Sequence, residues 1–325
     1  MTDATCSTAL DRPIAAYLAN QRALGRGYHN EEQVLGSLRR FVAQASAKDL
    51  DQMLFDRWCD TLRDLAANTR RARQLIVRKF CLYRRRSEPG CFVPDPLCFA
   101  RLQPYRDPII IEPGQIARML TAADRLAPAP GSPLLPAVMR IAIVLLYTAG
   151  LRRGELLRLA LGDVDPRSGV LRVRESKFHK SRLVPLSADA RSELRRYLRK
   201  RLAAGLDSRP GAALLYNTTR GQRGYTGTGI SDGIHRLFEA AGVHASSGRR
   251  PRIHDLRHSF AVQALLRWYR VDADVQSQLP RLAMYMGHVS IVSTAYYLRL
   301  VPAVASLASE RFERAFGNLL EEAHP

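Results

Sequence analysis

The sequence has no long apolar run and no export signal. No stretch reaches the ~18 apolar residues that a membrane-spanning helix needs. The first residues, Met-Thr-Asp-Ala-Thr, lack the charged start and apolar core of a signal peptide. These absences exclude a membrane-embedded or secreted class, so we expect a cytoplasmic protein without a membrane partner.

The sequence contains few cysteines, and their spacing shows no paired motif. The five cysteines are odd in number and form no Cys-x-x-Cys pair. The sequence therefore predicts reduced thiols, and it excludes a disulfide framework and a cysteine zinc site. The cysteines are Cys6, Cys59, Cys81, Cys91 and Cys98.

Acidic residues are outnumbered by basic ones. Thirty Asp and Glu stand against fifty Lys and Arg, which gives a net charge of +20 and a pI near 10.5. A solvated cationic surface is the simple interpretation, but an excess of this size favours a polyanionic partner such as nucleic acid. At 325 residues with 46% hydrophobic content, the chain is long enough for two domains with separate cores.

The first part of the chain reads as four helical segments between Pro13 and Arg86. The fourth begins at Asn68, a candidate N-cap, and carries an arginine-rich surface without acidic residues. Such a surface is usually just solvated, yet an all-basic helix fits best against phosphate. We therefore predict a DNA clamp. Its candidate contacts are Arg70, Arg71, Arg73, Arg84, Arg85 and Arg86.

A proline-rich stretch separates this region from the rest of the chain. Prolines between Pro89 and Pro113 are too dense for a helix or a central strand. We predict a helical N-terminal domain at residues 1–88, an extended connector at 89–112 and a second domain with a C-terminal tail at 113–325.

The second domain contains an arginine three residues before a glutamate. In Gly150-Leu-Arg152-Arg-Gly154-Glu155-Leu, the glycine ends one helix, and Arg152 and Glu155 can meet on one face of the next. A surface ion pair is the plain alternative. Further on, Val170-Leu-Arg-Val-Arg and Arg182-Leu-Val-Pro-Leu predict two strands around a short polar turn.

The last motif joins an arginine, two histidines and a tyrosine. His254 and Arg257 are neighbours on one face of a predicted helix, whose opposite face is core. His288 follows 34 residues after His254, and Tyr297 follows nine residues later. These side chains are the parts needed to hold a phosphodiester and attack it.

Together these motifs resemble those of the tyrosine recombinases, or phage-type integrases. The resemblance rests on Gly-Leu-Arg-x-x-Glu-Leu, His-x-x-Arg, Gly-His and a tyrosine nine residues on. It implies that Arg152 grips the scissile phosphate, that Glu155 orients Arg152, and that Tyr297 attacks. Gly154 stands where serine is frequent in the family.

The resemblance also implies a lysine in the predicted hairpin. The register of the family's Lys-Gly-x-Lys-x-Arg pattern falls on Lys177-Phe-His-Lys180-Ser-Arg182. Lys177 therefore matches the catalytic position, with Lys180 as the alternative because Phe178 replaces the usual glycine. The adjacent Tyr296 is expected to pack against the helix that begins near His254.

The implied protein is an α+β enzyme, mainly helical with a small sheet, that cuts and rejoins duplex DNA for a phage or other mobile element. It would use His254, with His288 as a second candidate, to take the tyrosine proton. It would need no cofactor and no metal. It would act as a homotetramer associated with a bacterial nucleoid, its tail docked on a neighbouring protomer or packed on its own domain. The alternatives are a type IB topoisomerase and a DNA-binding protein that does not cut.

Overall fold

The chain forms two compact units. The computed structural model describes residues 9–174, 181–217 and 223–299, with positions 306, 309–310 and 312–314. Contacts divide the chain into Met1–Arg106 and Asp107–Pro325. Helices dominate both units, and a small antiparallel sheet lies in the second, which confirms the predicted α+β class. No helix of the described part is long and apolar enough to cross a membrane.

The first unit is a helical bundle. Apolar residues at helical spacing, such as Leu35 and Leu38, are fully buried and meet Trp58 and Phe80 in one core. The last helix begins before Asn68, whose side chain bonds the backbone of Gln103 instead of capping, so the predicted cap is wrong. The helices are α1 (Asp11–Ala23), α2 (His29–Gln44), α3 (Gln52–Asp60) and α4 (Ala67–Arg84).

The proline-rich stretch, which the structure describes throughout, contains no α-helix and no strand in its first part, as predicted, apart from a 3-10 turn at Pro96–Cys98, but much of it packs on α4. Phe99 is buried in the core of the first unit, and Arg71 donates a hydrogen bond to the carbonyl of Ala100 at 3.1 Å. Up to Gln103 the stretch is therefore held by the bundle. The domain boundaries at residues 88 and 113 stay a prediction.

One of the predicted DNA-contacting arginines is not available for phosphate. Arg84 is 4% exposed, and its guanidinium bonds both carboxylate oxygens of Asp49, at 2.7 and 2.9 Å, and the carboxylate of Glu88. The pKa of Arg84 is raised, chiefly by the hydrogen bonds that it donates to Asp49. The idea that no acidic residue offsets this helix is wrong at Arg84. Its neighbours Arg85 and Arg86 are exposed.

The second unit is built around a largely apolar helix. This helix, α6 (Leu135–Thr148), buries Val138, Met139 and Val144 on different faces, as expected of a helix that packs against neighbours on most sides. The helices of this unit are α5 (Pro113–Asp124), α6 (Leu135–Thr148), α7 (Arg153–Arg158), α8 (Ala188–Ala203), α9 (Gly227–Ala240), α10 (Ile253–Arg270), α11 (Val275–Met286) and α12 (Val292–Ala295). Of these, α5, α7, α8, α9 and α10 pack on α6.

A three-stranded antiparallel sheet lies beside these helices in the order β1-β2-β3. Leu171 pairs with Val184, and both are buried against the core. The predicted hairpin is therefore confirmed, although its turn, residues 175–180 with Lys177 and Lys180, lies outside the described residues. The strands are β1 (Val164–Asp165), β2 (Val170–Val173), β3 (Arg182–Pro185) and a separate pair, β4 (Tyr216–Asn217) with β5 (Arg223–Gly224).

The C-terminal tail falls mostly outside the described residues. Of the apolar positions expected to form its stripe, Phe312 is described and is exposed, while Val304, Leu307, Phe316 and Leu320 are not described. Whether the tail packs on its own domain or on a neighbour stays a prediction.

Candidate active site

Arg152 is positioned by a sharp helix ending. Gly150 adopts φ +58° directly after α6, and a Cβ atom at this position would lie 2.5 Å from the Phe260 ring. Only glycine fits such a left-handed and crowded position. The chain then enters α7, so that Arg152 stands at its N-cap with a quarter of its side chain exposed.

Glu155 lies at the centre of the site and is not a surface residue. Its side chain is 1% exposed and accepts hydrogen bonds from Arg152, through Nη1 at 2.7 Å and the backbone N–H at 2.9 Å. Arg182, on β3, donates to both carboxylate oxygens at 3.0 and 2.8 Å. The alternative of a weak surface ion pair is therefore wrong, because Glu155 is buried between two arginines.

Arg182 also joins the hairpin to the turn before His288. Its Nε donates to the carbonyl of Tyr285 at 2.7 Å, and Tyr285 donates its hydroxyl to the carbonyl of Pro185 at 3.0 Å. Gly287 has φ +66°, and a Cβ there would lie 2.8 Å from Arg182 Nη1. The turn at Gly287 therefore packs so closely against Arg182 on β3 that a side chain at this position would clash.

Arg257 is held by the ends of two helices. It is 1% exposed and donates to the carbonyl of Gly150 and, at 2.6 Å, to the carbonyl of Met286. Carbonyl groups at helix C-termini carry partial negative charge and so stabilise a guanidinium. The prediction placed this face opposite the core, but Arg257 is buried, while His254 one turn earlier is exposed.

The two arginines approach the same turn of chain. Arg152 donates through Nη2 to the carbonyl of Gly287 at 2.8 Å, next to the Met286 carbonyl that Arg257 contacts. Arg257 Nη1 also lies 4.0 Å from Glu155. Each guanidinium has five N–H donors, and both keep donors beyond the bonds described here for an oxygen ligand.

Tyr297 is buried beside a histidine that was not among the predicted site residues. The tyrosine is 2% exposed, and its hydroxyl lies 3.0 Å from Nδ1 of His258. The His258 ring meets His254 edge to face, with centroids 4.6 Å apart. His288 stacks near Tyr297 at 6.3 Å and bonds Thr294 through Nδ1 at 2.8 Å.

The two adjacent tyrosines have different surroundings. Tyr296 is 39% exposed and donates its hydroxyl to Asp107 at 3.3 Å. The expectation that Tyr296 packs against α10 is wrong, because Tyr297 occupies that place. Tyr297 is thus the tyrosine next to the histidines, as its spacing from His288 predicted.

The ionisation of the site reflects its excess positive charge. Burial and repulsion from Arg152 lower the pKa of Arg257 to about 9. Burial raises the pKa of Tyr297 to about 12, although Arg257 and Arg152 act in the opposite direction. Burial alone would raise the pKa of Glu155, but hydrogen bonds from Arg182 and Arg152 lower it to about 2.

The three histidines are neutral at neutral pH. Desolvation, together with repulsion from nearby cations and from one another, lowers their pKa values to about 4 for His254, about 3 for His258 and about 4 for His288. Neutral imidazoles can each accept one hydrogen bond and donate another.

A cleft of about 460 Å³ opens beside Arg152 and His254. Three arginines and two histidines line it, so it suits an anionic ligand. In the part of the chain that the structure describes, no group of three His, Cys, Asp or Glu side chains is placed to hold a metal ion. The lining residues are Arg152, Arg153, Gly154, Ser231, His235, Arg252, Ile253 and His254.

The structure therefore brings together five predicted residues and two that sequence reasoning did not assign. His258 and Arg182 were missed. His258 lies four residues after His254, a spacing that places two rings on one helix face and could have revealed it. Arg182 is the last residue of the family's Lys-Gly-x-Lys-x-Arg pattern, but no function was assigned to it from the sequence. The predicted residues brought together are Arg152, Glu155, Arg257, His288 and Tyr297, with His254 at the edge.

Comparison with known proteins agrees with this geometry. Residues 110–303 match the phage integrase family. The chain is 34% identical over 304 residues to the protein y4rE of Sinorhizobium fredii, covering 93% of this chain and 95% of y4rE. It is 32% identical over 258 residues to tyrosine recombinase XerD of Ralstonia nicotianae, covering 79% of this chain and 77% of XerD.

Solved structures share the fold at low identity. The integrase of transposon Tn1549, in complex with transposon right-end DNA, superposes with a TM-score of 0.63 at 16% identity, covering 93% of this chain and 98% of that one. Since the match with the phage integrase family spans more than half of the chain, and XerD is alike over most of both lengths, the chain belongs to the phage integrase family of tyrosine recombinases and is a site-specific DNA recombinase.

Proposed function

We propose that this recombinase cleaves duplex DNA through a covalent bond between Tyr297 and the 3′ phosphate. The observation that carries the proposal is a buried tyrosine hydroxyl that lies 3.0 Å from Nδ1 of His258, the residue that follows the tethered Arg257 on α10. Burial raises the pKa of Tyr297, while the positive charges of Arg257 and Arg152 act to lower it.

The charge of the site matches the reaction. One carboxylate, that of Glu155, lies among three buried or half-buried arginines, Arg152, Arg182 and Arg257. These four side chains together carry two more positive charges than negative ones. A phosphodiester brings one negative charge, and the five-coordinate phosphorus of its transition state gathers a second. Preorganised cations therefore stabilise the transition state more than the bound substrate.

The arginines are suited to the non-bridging oxygens of the phosphate. Guanidinium groups are planar, permanently charged and able to donate in pairs. Hydrogen bonds to Glu155 and to the carbonyls of Gly150, Met286 and Gly287 fix their planes before DNA arrives. Such preorganisation avoids reorganisation during the reaction.

Proton transfer completes the proposed chemistry. The phenol of Tyr297 must lose its proton as it attacks, and the departing 5′ oxygen must gain one. His254 and His288 are neutral and can exchange protons or donate to the phosphate. Lys177 is proposed to protonate the 5′ oxygen. The phosphotyrosyl bond conserves the energy of the cleaved diester, so religation needs no nucleotide.

Duplex DNA is the proposed partner. The structures of the Tn1549 integrase and of the recombinase XerH were both solved with DNA bound. XerH, bound to its difH substrate, superposes with a TM-score of 0.61 at 17% identity, covering 89% of this chain and 78% of XerH. The net charge of +20 and the exposed Arg85 and Arg86 support the same partner. Arg70, Arg71 and Arg73 remain proposed contacts. A homotetramer on paired sites, with tails exchanged between protomers, is the proposed assembly, and a mobile element is the proposed host.

A two-part assay tests this function. Duplex fragments from the DNA flanking the chain's own gene are incubated with protein, and denaturing gels detect a covalent adduct. Plasmids that carry two copies of the mapped site then report recombination. Adduct with exchange supports a recombinase, relaxation of supercoils without exchange indicates a topoisomerase, and binding without adduct indicates a protein that does not cut.

A further inference from the structure

Tyr297 is buried, and its hydroxyl has one described hydrogen-bond partner. The ring belongs to an apolar cluster formed with α10 and α11, which includes Val262, Leu265 and Met286. Within this cluster the phenol oxygen meets Nδ1 of His258 at 3.0 Å. A buried hydroxyl group prefers to be hydrogen-bonded, so this contact determines where the oxygen points.

His258 lies on the same helical turn as one of the two arginines. It follows Arg257 directly on α10, so its side chain projects about 100° around the helix from Arg257. Arg257 reaches the carbonyls of Gly150 and Met286, and His258 reaches Tyr297. Both side chains leave the same helical turn, and their relative positions are therefore fixed by the backbone of α10.

The ring of His258 is itself held in place. It packs edge to face on His254 at 88° and lies against Tyr297, with centroids 5.6 Å apart. Because the ring is neutral at neutral pH, Nδ1 can act as acceptor when the ring proton is on Nε2. The phenol then donates its proton in the hydrogen bond and leaves its oxygen lone pairs free.

We propose that His258 is a positioning residue, which accepts the hydrogen bond of Tyr297 through Nδ1 and thereby directs the phenol oxygen toward a phosphate held by Arg152 and Arg257. This inference rests on the proposed function, in which Tyr297 attacks. It adds a residue that acts through Tyr297 and does not touch the phosphate.

Two substitutions separate the hydrogen bond from the bulk of the ring. His258→Leu fills the space without an acceptor, whereas His258→Asn places an amide oxygen near the position of Nδ1. The rate measured is single-turnover adduct formation on a nicked duplex that carries the mapped cleavage site. His244→Leu, an exposed histidine in the same unit, controls for loss of any histidine.

We expect His258→Leu to slow adduct formation by about a hundredfold, the loss expected when a reacting group is misplaced by about 1 Å. Affinity for the duplex should stay within about twofold. His258→Asn should recover most of the rate, and His244→Leu should behave as wild type. On a duplex with sulfur in place of the bridging 5′ oxygen, which leaves without a proton, the defect of His258→Leu should persist.

Several results would overturn the inference. These are a wild-type rate for His258→Leu, an equally slow His258→Asn that keeps the wild-type melting temperature, and rescue of His258→Leu by the sulfur substrate. If His258→Leu does not fold, the comparison of His258→Asn with wild type decides alone. Tyr297→Phe on the same duplex distinguishes the two proposals, because adduct from that variant would refute the nucleophile itself, whatever His258 does.

Discussion

Replacing Glu155 with glutamine should weaken the second unit more than any surface change. The carboxylate is 1% exposed and lies between Arg152 and Arg182, with Arg257 Nη1 4.0 Å away. Glutamine keeps the shape but removes the negative charge, so three guanidinium groups would repel one another without compensation. Removing one partner from a buried ion pair is strongly destabilising because it leaves an unpaired buried charge.

Two independent routes give the size of the effect. Loss of one partner of a buried pair costs about 3–5 kcal/mol. A carboxyl group whose pKa falls from 4.5 to about 2 on folding contributes roughly 3 kcal/mol of folding stability at neutral pH. We therefore expect Glu155→Gln to lower the free energy of unfolding by about 3 kcal/mol, or the melting temperature by roughly 6–12 °C.

The effect should depend on pH in a defined direction. The folded pKa of Glu155 is lowered, so its contribution is complete above the unfolded value of 4.5 and is lost as pH falls toward 2. The difference in the free energy of unfolding between wild type and Glu155→Gln should therefore shrink by roughly two fifths as the pH falls from 7 to 3.5.

The chain offers a clean fluorescence assay. Of its two tryptophans, Trp58 lies in the first unit and Trp268 on α10 in the second. In a Trp58→Phe background, urea unfolding followed by tryptophan emission reports on the second unit. The control is Glu239→Gln, a half-exposed carboxylate paired with Arg250, which should cost less than about 0.5 kcal/mol. A Glu155→Gln loss below about 1 kcal/mol, or one that does not change with pH, would refute the reasoning.

Further substitutions test the arginines one by one. Arg152→Lys keeps the charge but loses the planar fork, so adduct formation should fall at least about a hundredfold with DNA binding retained, and near-normal cleavage in a single-turnover gel assay would contradict this. Arg182→Lys should destabilise the second unit by about 2 kcal/mol in the urea assay and slow cleavage, since lysine cannot bridge both oxygens of the carboxylate. Reversing Arg85 and Arg86 to glutamate should weaken DNA binding and reduce the slope of log affinity against log salt by about 2, measured by fluorescence anisotropy, whereas an unchanged slope would remove these contacts. Arg84→Met should instead lower the stability of the first unit by about 1–2 kcal/mol, as seen from Trp58 emission, because the carboxylates it leaves behind are half-exposed, and an unchanged midpoint would count against the ion pair.

Local patterns in the sequence were sufficient for much of the fold. Apolar spacing predicted four helices in the first part of the chain, and the residues that the structure describes there form four α-helices, because a periodic apolar stripe must be buried. Short motifs were also informative at the site. Arg152 and Glu155 meet because they are three residues apart at the start of a helix. The nine-residue spacing of the family motif after His288 predicted Tyr297, and not Tyr296, as the attacking tyrosine.

Contacts between distant residues could not be predicted in this way. Arg182 is 27 residues from Glu155, and His258 is 39 residues from Tyr297, so each pairing depends on how the helices and strands of the second unit pack. The same holds for Arg84, whose helix looked entirely basic because its partner Asp49 lies 35 residues upstream. Sequence periodicity reports which face is apolar, but it does not reveal which distant side chain a polar group will meet.

The most direct test of the account is to find the residue that carries the DNA. Wild-type protein is trapped on a nicked duplex, digested with trypsin and nuclease, and the peptide that gains a nucleotide is sequenced by mass spectrometry. Cleavage after Arg281 and Arg299 places Tyr285, Tyr296 and Tyr297 in one peptide. The account predicts the nucleotide on Tyr297 alone and no adduct from Tyr297→Phe. A nucleotide on Tyr296, or adduct from Tyr297→Phe, would contradict it.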